Sequence, residues 1–409
     1  GDTDDDAITG GLGNDILDGG AGDDIAIYAG NMADYKIDVG VSGINRITDL
    51  NAEDGDEGVD VLSNVETARF ADGELTVTQD ADGEVRVNTY PSYEQNTPSI
   101  TNLANGNYVV TWADSSGHDG GSGWDVWGQM YSEEGISVGE DFRVNSYVSS
   151  SQYHPDITAL SDGGFVVAWS DSSGHNGGSG WDIRTQRFDS SGSSVGEETL
   201  VNSYTSGSQY VPSVGALLDG GFVVTWEDHS SGSHGGTLHD VYGQRFDVNG
   251  DPTGEEFRVN ETQVSGYQYT PEVVGLANGG FAISWRDDDG SNHNDGTGAG
   301  SGYDVWMRVF NADGGEVAGE VRVNETQISG SQYEPALASL SNGNFIVTWR
   351  DSDGGSHDDG TGTGSSNDVW ARIFNIDGTE AVGEFRINNY TSSSQYEPDV
   401  TALKDGGFV

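Results

Sequence analysis

The sequence predicts an all-β protein: a short parallel β-roll with a small β cap, followed by a β-propeller-like array of four-stranded repeats, five complete and a sixth truncated. Three recurring patterns carry this prediction. Trp-x-Asp closes a strand five times (Trp112/Asp114, Trp169/Asp171, Trp226/Asp228, Trp285/Asp287, Trp349/Asp351), and an Asp opens the next strand five times (Asp125, Asp182, Asp240, Asp304, Asp368). Gln-x-x-Pro starts six times, at Gln95, Gln152, Gln209, Gln268, Gln332 and Gln395, with spacings of 57, 57, 59, 64 and 63 residues. A period of that kind marks a repeat architecture before any single motif is weighed.

The first 27 residues hold three nine-residue units, GDTDDDAIT, GGLGNDILD and GGAGDDIAI, each with Asp in sixth place: Asp6, Asp15 and Asp24. Glycine permits a tight turn, and Ile8 and Leu17 mark very short strands whose side chains stack from turn to turn, so the units read as a parallel β-roll. Carboxylates and exposed carbonyls at this spacing suit calcium, a hard cation with oxygen ligands.

These units resemble the RTX (hemolysin-type) calcium-binding repeats, G-G-x-G-x-D-x-U-x, and residues 10–18 match that pattern in full. The resemblance implies calcium held by Asp6, Asp15 and Asp24 and by main-chain oxygens of Gly11, Gly13, Gly20 and Gly22. It also implies a large secreted bacterial adhesin or exoprotein, exported by type I secretion to the cell exterior or surface.

Residues 28–83 follow, with alternating segments at 35–39 and 47–50. Their close, DVLSNVETARFADGE, resembles the segment that caps such arrays, with Leu62, Val65 and Phe70 as core. A cap has a physical reason, because the last turn of a solenoid would otherwise expose its apolar face.

The array occupies 84–409. In its second copy the strands read as roughly 156–160, 164–169, 182–188 and 198–201. Four strands in about 60 residues cannot bury both faces alone, and radial stacking solves this. An open row of small sandwiches is the alternative. Residues 84–88, EVRVN, match the end of later repeats and predict an outer strand ahead of the first full blade. The final DGGFV matches residues 162–166 and stops, so the chain reads as a piece of a longer protein with its targeting signals elsewhere. The regular Trp residues predict packing between blades, and the Gln-x-x-Pro units a bond from Gln to the backbone of a neighbouring blade.

Composition bounds the partners. With 68 Asp plus Glu against 16 Lys plus Arg, the formal charge is −52. That disfavours nucleic acid and anionic membranes, and leaves calcium binding and salt adaptation as two open explanations. There is no cysteine, hence no disulfide or thiolate metal site. No run of about 18 apolar residues predicts a spanning helix.

Chemistry concentrates in the loops after Trp-x-Asp. Each starts and ends with the Asp residues named above and holds Gly turns, hydroxyls and further acids (Asp119, Asp288, Asp289, Asp295, Asp353, Asp358, Asp359), a composition that suits calcium as well as a solvated acidic loop. One His per loop (His118, His175, His234, His293, His357) is expected to stabilise its loop, since five radially spread residues do not converge as zinc requires. The residue before the closing Asp varies: Trp124, Trp181, His239, Tyr303, Asn367. Trp124, Trp181 and Tyr303 are candidate platforms for sugar rings.

No G-x-S-x-G, H-E-x-x-H or P-loop motif occurs, and 68 acids make any carboxylate pair uninformative. The reading is therefore a calcium-binding extracellular adhesion or glycan-binding module without catalysis. A polysaccharide lyase or hydrolase on a propeller face, and a passive spacer, are the alternatives. An enzyme should break repeat symmetry, and the third loop, with His229, His234 and His239, is the local asymmetry of that sort.

Overall fold

The computed structural model describes residues 5–40, 43–51, 57–76, 87, 93–117, 120–121, 123–133, 135, 137–175, 180–230, 238–261, 266–288, 302–326, 330–352, 367–389, 394–404 and 406–409. The chain forms two compact units. One comprises residues 1–91, 106–110 and 128–142; the other comprises 92–105, 111–127 and 143–409.

In the first unit, β1 (Ala7–Ile8), β2 (Ile16–Asp18) and β3 (Ile25–Ile27) alternate between two sheets, as the coil of a β-roll requires. β4 (Tyr35–Gly40), β5 (Gly43–Asp49), β6 (Val59–Ser63), β7 (Thr67–Phe70) and β8 (Gly73–Thr76) follow. One sheet runs β1-β3-β7-β8 and the other β2-β6-β5-β4, with β1/β3, β3/β7 and β2/β6 parallel. Thus β6 and β7 continue the coil rather than merely closing it. Leu17, Ala26, Tyr28, Tyr35, Ile44, Ile47, Leu62, Val65, Ala68 and Phe70 form the shared core.

The repeats form five four-stranded antiparallel sheets in the manner of a β-propeller. The first is β9 (Gln95–Asn102), β10 (Tyr108–Asp114), β11 (Asp125–Tyr131) and β12 (Ser137–Arg143). The second is β13 (Gln152–Ala159), β14 (Phe165–Asp171), β15 (Asp182–Phe188) and β16 (Ser194–Leu200). The third is β17 (Gln209–Ala216), β18 (Phe222–Asp228), β19 (Asp240–Phe246) and β20 (Pro252–Arg258). The fourth is β21 (Tyr267–Gly275), β22 (Phe281–Asp288), β23 (Asp304–Phe310) and β24 (Glu316–Arg322). The fifth is β25 (Gln332–Ser339), β26 (Phe345–Asp351), β27 (Asp368–Phe374) and β28 (Glu380–Arg386).

The opening strands β9, β13, β17, β21 and β25 lie side by side, which makes each the inner strand of its blade. Compared with the sequence expectation, β13 begins at Gln152 rather than 156 because a bulge after Tyr153 lets pairing continue past it. The expected outer strand at 84–88 falls, save Val87, outside the described residues.

Apolar residues on both faces of the second strand pack between neighbouring blades. Trp226 belongs to a core shared by the second and third blades, Trp285 to one shared by the third and fourth, and Trp349 to one shared by the fourth and fifth. Trp169, Trp226, Trp285 and Trp349 are fully buried, as the repeat pattern led one to expect.

A polar clamp joins the blades at every step. Asn202 Nδ2 donates to Asp182 Oδ1 (2.8 Å) in its own blade and to Gln209 Oε1 (3.2 Å) in the next, while Gln209 Nε2 donates to Asp228 Oδ1 (3.2 Å). Asn202 Oδ1 accepts from Ile183 N–H at 2.7 Å. The same chain runs through Asn145/Gln152, Asn260/Gln268, Asn324/Gln332 and Asn388/Gln395. Gln therefore reaches a side chain of the preceding blade, where a backbone partner was expected.

Candidate functional site

Gln209 pairs with Asp228, and Asp228 with Asp240, so the start of the inner strand and the loop between second and third strands share one end of a blade. The equivalent pairs recur in the second, fourth and fifth blades, which collects these positions on one loop face.

The backbone there is strained by design of the repeat. The residue two beyond each Gln has positive φ: Thr97 (50°), His154 (53°), Val211 (48°), Thr270 (47°), Glu334 (54°) and Glu397 (49°). Each precedes proline, and three are β-branched, a combination for which left-handed backbone is costly. The preceding blade restrains it. Val211 N–H donates to Ser170 Oγ (3.2 Å), Thr270 N–H to Glu227 Oε1 (2.7 Å), and Glu397 N–H to Glu334 Oε2 (2.9 Å).

An aromatic follows Gln in all but the first copy, and the variable residue before the closing Asp rests on it. Trp124 meets Tyr153 at 4.9 Å between ring centroids, Trp181 meets Tyr210 at 5.5 Å, His239 meets Tyr269 at 5.3 Å and Tyr303 meets Tyr333 at 5.0 Å. Trp124, Trp181 and Tyr303 are half-buried, and these candidate sugar platforms occupy the same register position in the first, second and fourth copies.

Repeat symmetry breaks at the residue after the buried Trp, which is Ala113, Ser170, Glu227, Arg286 and Arg350 in turn. Glu227 is 5% exposed. Its Oε2 lies 2.9 Å from His229 Nε2, and His229 stacks on His239 at 3.6 Å. Burial and the neighbouring His229 hold the His239 imidazole below the usual histidine range, so it is neutral near pH 7 and able to accept a proton. Burial likewise keeps His154 low and Tyr269 high, the latter remaining a phenol donor.

Arg286 sits one ring further. Its guanidinium lies 4.7 Å from Tyr269, 4.6 Å from Tyr303 and 5.6 Å from Tyr333. Three such contacts return about 0.5–1 kcal/mol each, against several kcal/mol for withdrawing a charge from water.

Further along the inner strands, the fourth residue beyond Gln supplies one side chain per copy: Ser99, Asp156, Ser213, Glu272, Ala336 and Asp399. Asp156 accepts from Ser99 Oγ (2.9 Å) and Val214 N–H (2.7 Å), and Ser213 Oγ donates to Glu272 Oε2 (3.2 Å). Desolvation raises the pKa of both acids; the Asp156 charge then raises Glu272 further, and Asp399 adds to it. A carboxyl raised in the folded state stabilises the fold below its unfolded value, and that stabilisation is lost as pH rises through the folded value. Glu272→Gln should therefore melt higher than wild type at about pH 8 and equally at about pH 4, read by thermal scans across pH.

The remaining expected residues have structural partners. Asp125, Asp182, Asp240, Asp304 and Asp368 accept from the clamp Asn, and Asp114, Asp171, Asp228, Asp287 and Asp351 from the clamp Gln. Asp171 also pairs with the buried Arg184 at 2.6 Å. In the roll, Gly11, Gly13, Gly20 and Gly22 all turn with positive φ, and Asp6 N–H donates to Asp24 Oδ1 (2.7 Å). Asp15 Oδ2 and Asp24 Oδ2 are buried without a partner among the described residues. Among those residues, no three acidic or imidazole side chains group as a metal site. His175 stacks on Tyr147 at 3.6 Å. His118, His234, His293 and His357, and loop acids Asp119, Asp289, Asp295, Asp353, Asp358 and Asp359, lie outside the described residues. The clamp Asn and the acids Glu227 and Glu272 escaped sequence reasoning; the Val-Asn or Ile-Asn that ends each repeat, and variation at fixed register, were their signals.

No family model and no curated protein matches the sequence. In fold, the chain is similar to the GH93 α-L-arabinofuranosidase of Fusarium graminearum solved with arabinobiose: TM-score 0.51, 10% identity, 78% of this chain and 88% of that one. It is also similar to the Penicillium chrysogenum α-L-arabinanase complexed with arabinobiose: TM-score 0.50, 13% identity, again 78% and 88%. At these identities the likeness is one of fold.

Two expectations are corrected. Assignment to the RTX proteins fails, because no family model matches and the similar folds are those of glycoside hydrolases; the reading as an RTX-type calcium-binding adhesin falls with it. Short Gly/Asp units specify a coil geometry, which does not by itself specify a family. The preference for a module without catalysis is overturned as well, since solved chains sharing this fold are enzymes.

Proposed function

We propose that the propeller unit is a polysaccharide-cleaving enzyme that works by proton transfer at its loop face. The observation that carries this reading is the Glu227–His229–His239 group, where a buried carboxylate orients one imidazole and a second, neutral imidazole stacks on it. The earlier blades hold Ala113 and Ser170 at the place of Glu227, so the group is an addition to the scaffold. Carbohydrate ligands in the two structures of similar fold support the substrate class.

In this reading Trp124/Tyr153, Trp181/Tyr210 and Tyr303/Tyr333 seat successive sugar rings, offering large apolar faces with polar edges. His239 takes a proton, from water in hydrolysis or from a sugar carbon in elimination. Glu227 fixes the His229 ring beside it, and the Tyr269 phenol stands ready to donate.

The test is incubation of the full chain with a panel of neutral and acidic polysaccharides, following reducing ends and the ultraviolet absorbance of unsaturated sugar ends. New reducing ends with that absorbance mean elimination, and without it hydrolysis. Polymers that are bound yet stay intact would sink the proposal.

A further inference from the structure

We infer that the loop face recognises an acidic sugar, with Arg286 taking the carboxylate of a uronate residue in the polymer. This rests on the carbohydrate reading above and names the substrate class. Arg286 is half-buried, caged by Tyr269, Tyr303 and Tyr333, and makes no hydrogen bond or ion pair among the described residues. Its Nε is buried without a partner. Among the described residues it is thus a cation without an internal counter-ion, in a chain whose acids outnumber its bases 68 to 16.

The next blade shows what a self-satisfied version looks like. Arg350 occupies the same register position, lies 4.3 Å from Tyr333 and 5.2 Å from Tyr396, and pairs with Glu334 at 3.2 Å. Glu334 is the residue two beyond its Gln. The fourth blade has Thr270 at that place, with the same left-handed backbone (φ 47° against 54°), so the internal carboxylate that answers Arg350 has no counterpart for Arg286. A guanidinium presents a planar fork that matches a carboxylate.

The position also serves the chemistry. Tyr269 stands between Arg286, 4.7 Å away, and the His239 ring, 5.3 Å away. A uronate held by Arg286 would thus place its ring one tyrosine from the neutral imidazole. Neutralising the carboxylate makes the adjacent C–H more acidic, which joins recognition to proton removal.

Affinity electrophoresis of the full chain on polygalacturonate, alginate and glucuronan, each against its methyl ester, tests the inference. Expected is retention by at least one free acid, lost on esterification and weakened about 10- to 100-fold by Arg286→Gln. Thr270→Glu should weaken it equally by installing the internal partner that the fifth blade has, Arg286→Lys should weaken it less, and Arg350→Gln should leave it unchanged. Equal retention of acid and ester, wild-type affinity in Arg286→Gln, or binding confined to sulfated polymers would each overturn the inference. Cleavage of neutral polymers without retention on any polyuronate would overturn it and leave the enzymatic reading standing. Specific uronate binding without cleavage of any polymer would do the reverse.

Discussion

Glu227→Gln should lower polysaccharide cleavage about 10²- to 10⁴-fold while leaving the thermal transition in place. Glutamine keeps Oε1 as an acceptor for Thr270 N–H, so the strained turn before Pro271 stays restrained. What changes is the edge facing His229, where an acceptor 2.9 Å from Nε2 becomes an amide able to donate. The imidazole then loses the tautomer and orientation that the carboxylate imposed. Glu227 acts through His229 and is a positioning residue, so the rate must be followed across pH. In the wild type the acid limb should mark protonation of His239, whose burial keeps it low. In Glu227→Gln that limb should move as well as fall, and Glu227→Asp should restore part of the rate. An unchanged rate and pH profile in Glu227→Gln would remove the group from the mechanism.

Trp285→Ala should cost about 3–5 kcal/mol, measured as a shift in the denaturant midpoint. Trp285 is 0% exposed and packs with Val223, Val241 and Val259 of the third blade as well as Phe281, Ile283 and Trp306 of its own. Removing it opens a cavity in an interface between blades, and β-sheets already paired on both sides of that interface cannot collapse to fill it. Repeat arrays draw stability from each unit and its contact with the next, so the transition should also broaden. Trp124→Ala is the control. That ring is half-buried on the loop face and packs edge-on against Tyr153, so its loss should cost little stability and instead weaken glycan binding. A Trp285→Ala protein as stable as Trp124→Ala would contradict the assignment of the regular Trp residues to the blade interfaces.

Strand order and copy number were legible in the residues because they rest on short-range patterns. Trp-x-Asp ends a strand, Asp opens the next, and the alternation between them carries apolar side chains to both faces; β14 and β15 lie where those signals placed them, to within two residues. The strand β13 was longer than its signals. Pro155 reads as the start of a strand, whereas the bulge at His154 lets Gln152 and Tyr153 pair with Asp171 and Ser170. The asymmetry of the third loop was visible as an excess of histidine, and its meaning was not. His229 and His239 are ten residues apart, and that they stack at 3.6 Å depends on the loop's path.

Residue order was thus enough for an all-β repeat chain with a coiled start, and for a rim of aromatic and acidic residues on its loops, since period and turn chemistry are local. Folding in three dimensions was needed for everything that joins one copy to another. Asn202 meets Gln209 only when the outer strand of one blade returns beside the inner strand of the next. Glu227 holds the backbone of Thr270 43 residues away, and Asp156 that of Val214 58 residues away. Such pairs share no sequence window, and their partners are ordinary polar residues. Only the stacking of blades desolvates Glu227 and brings Arg286 among three tyrosines, and with that burial the chemistry of the face is set.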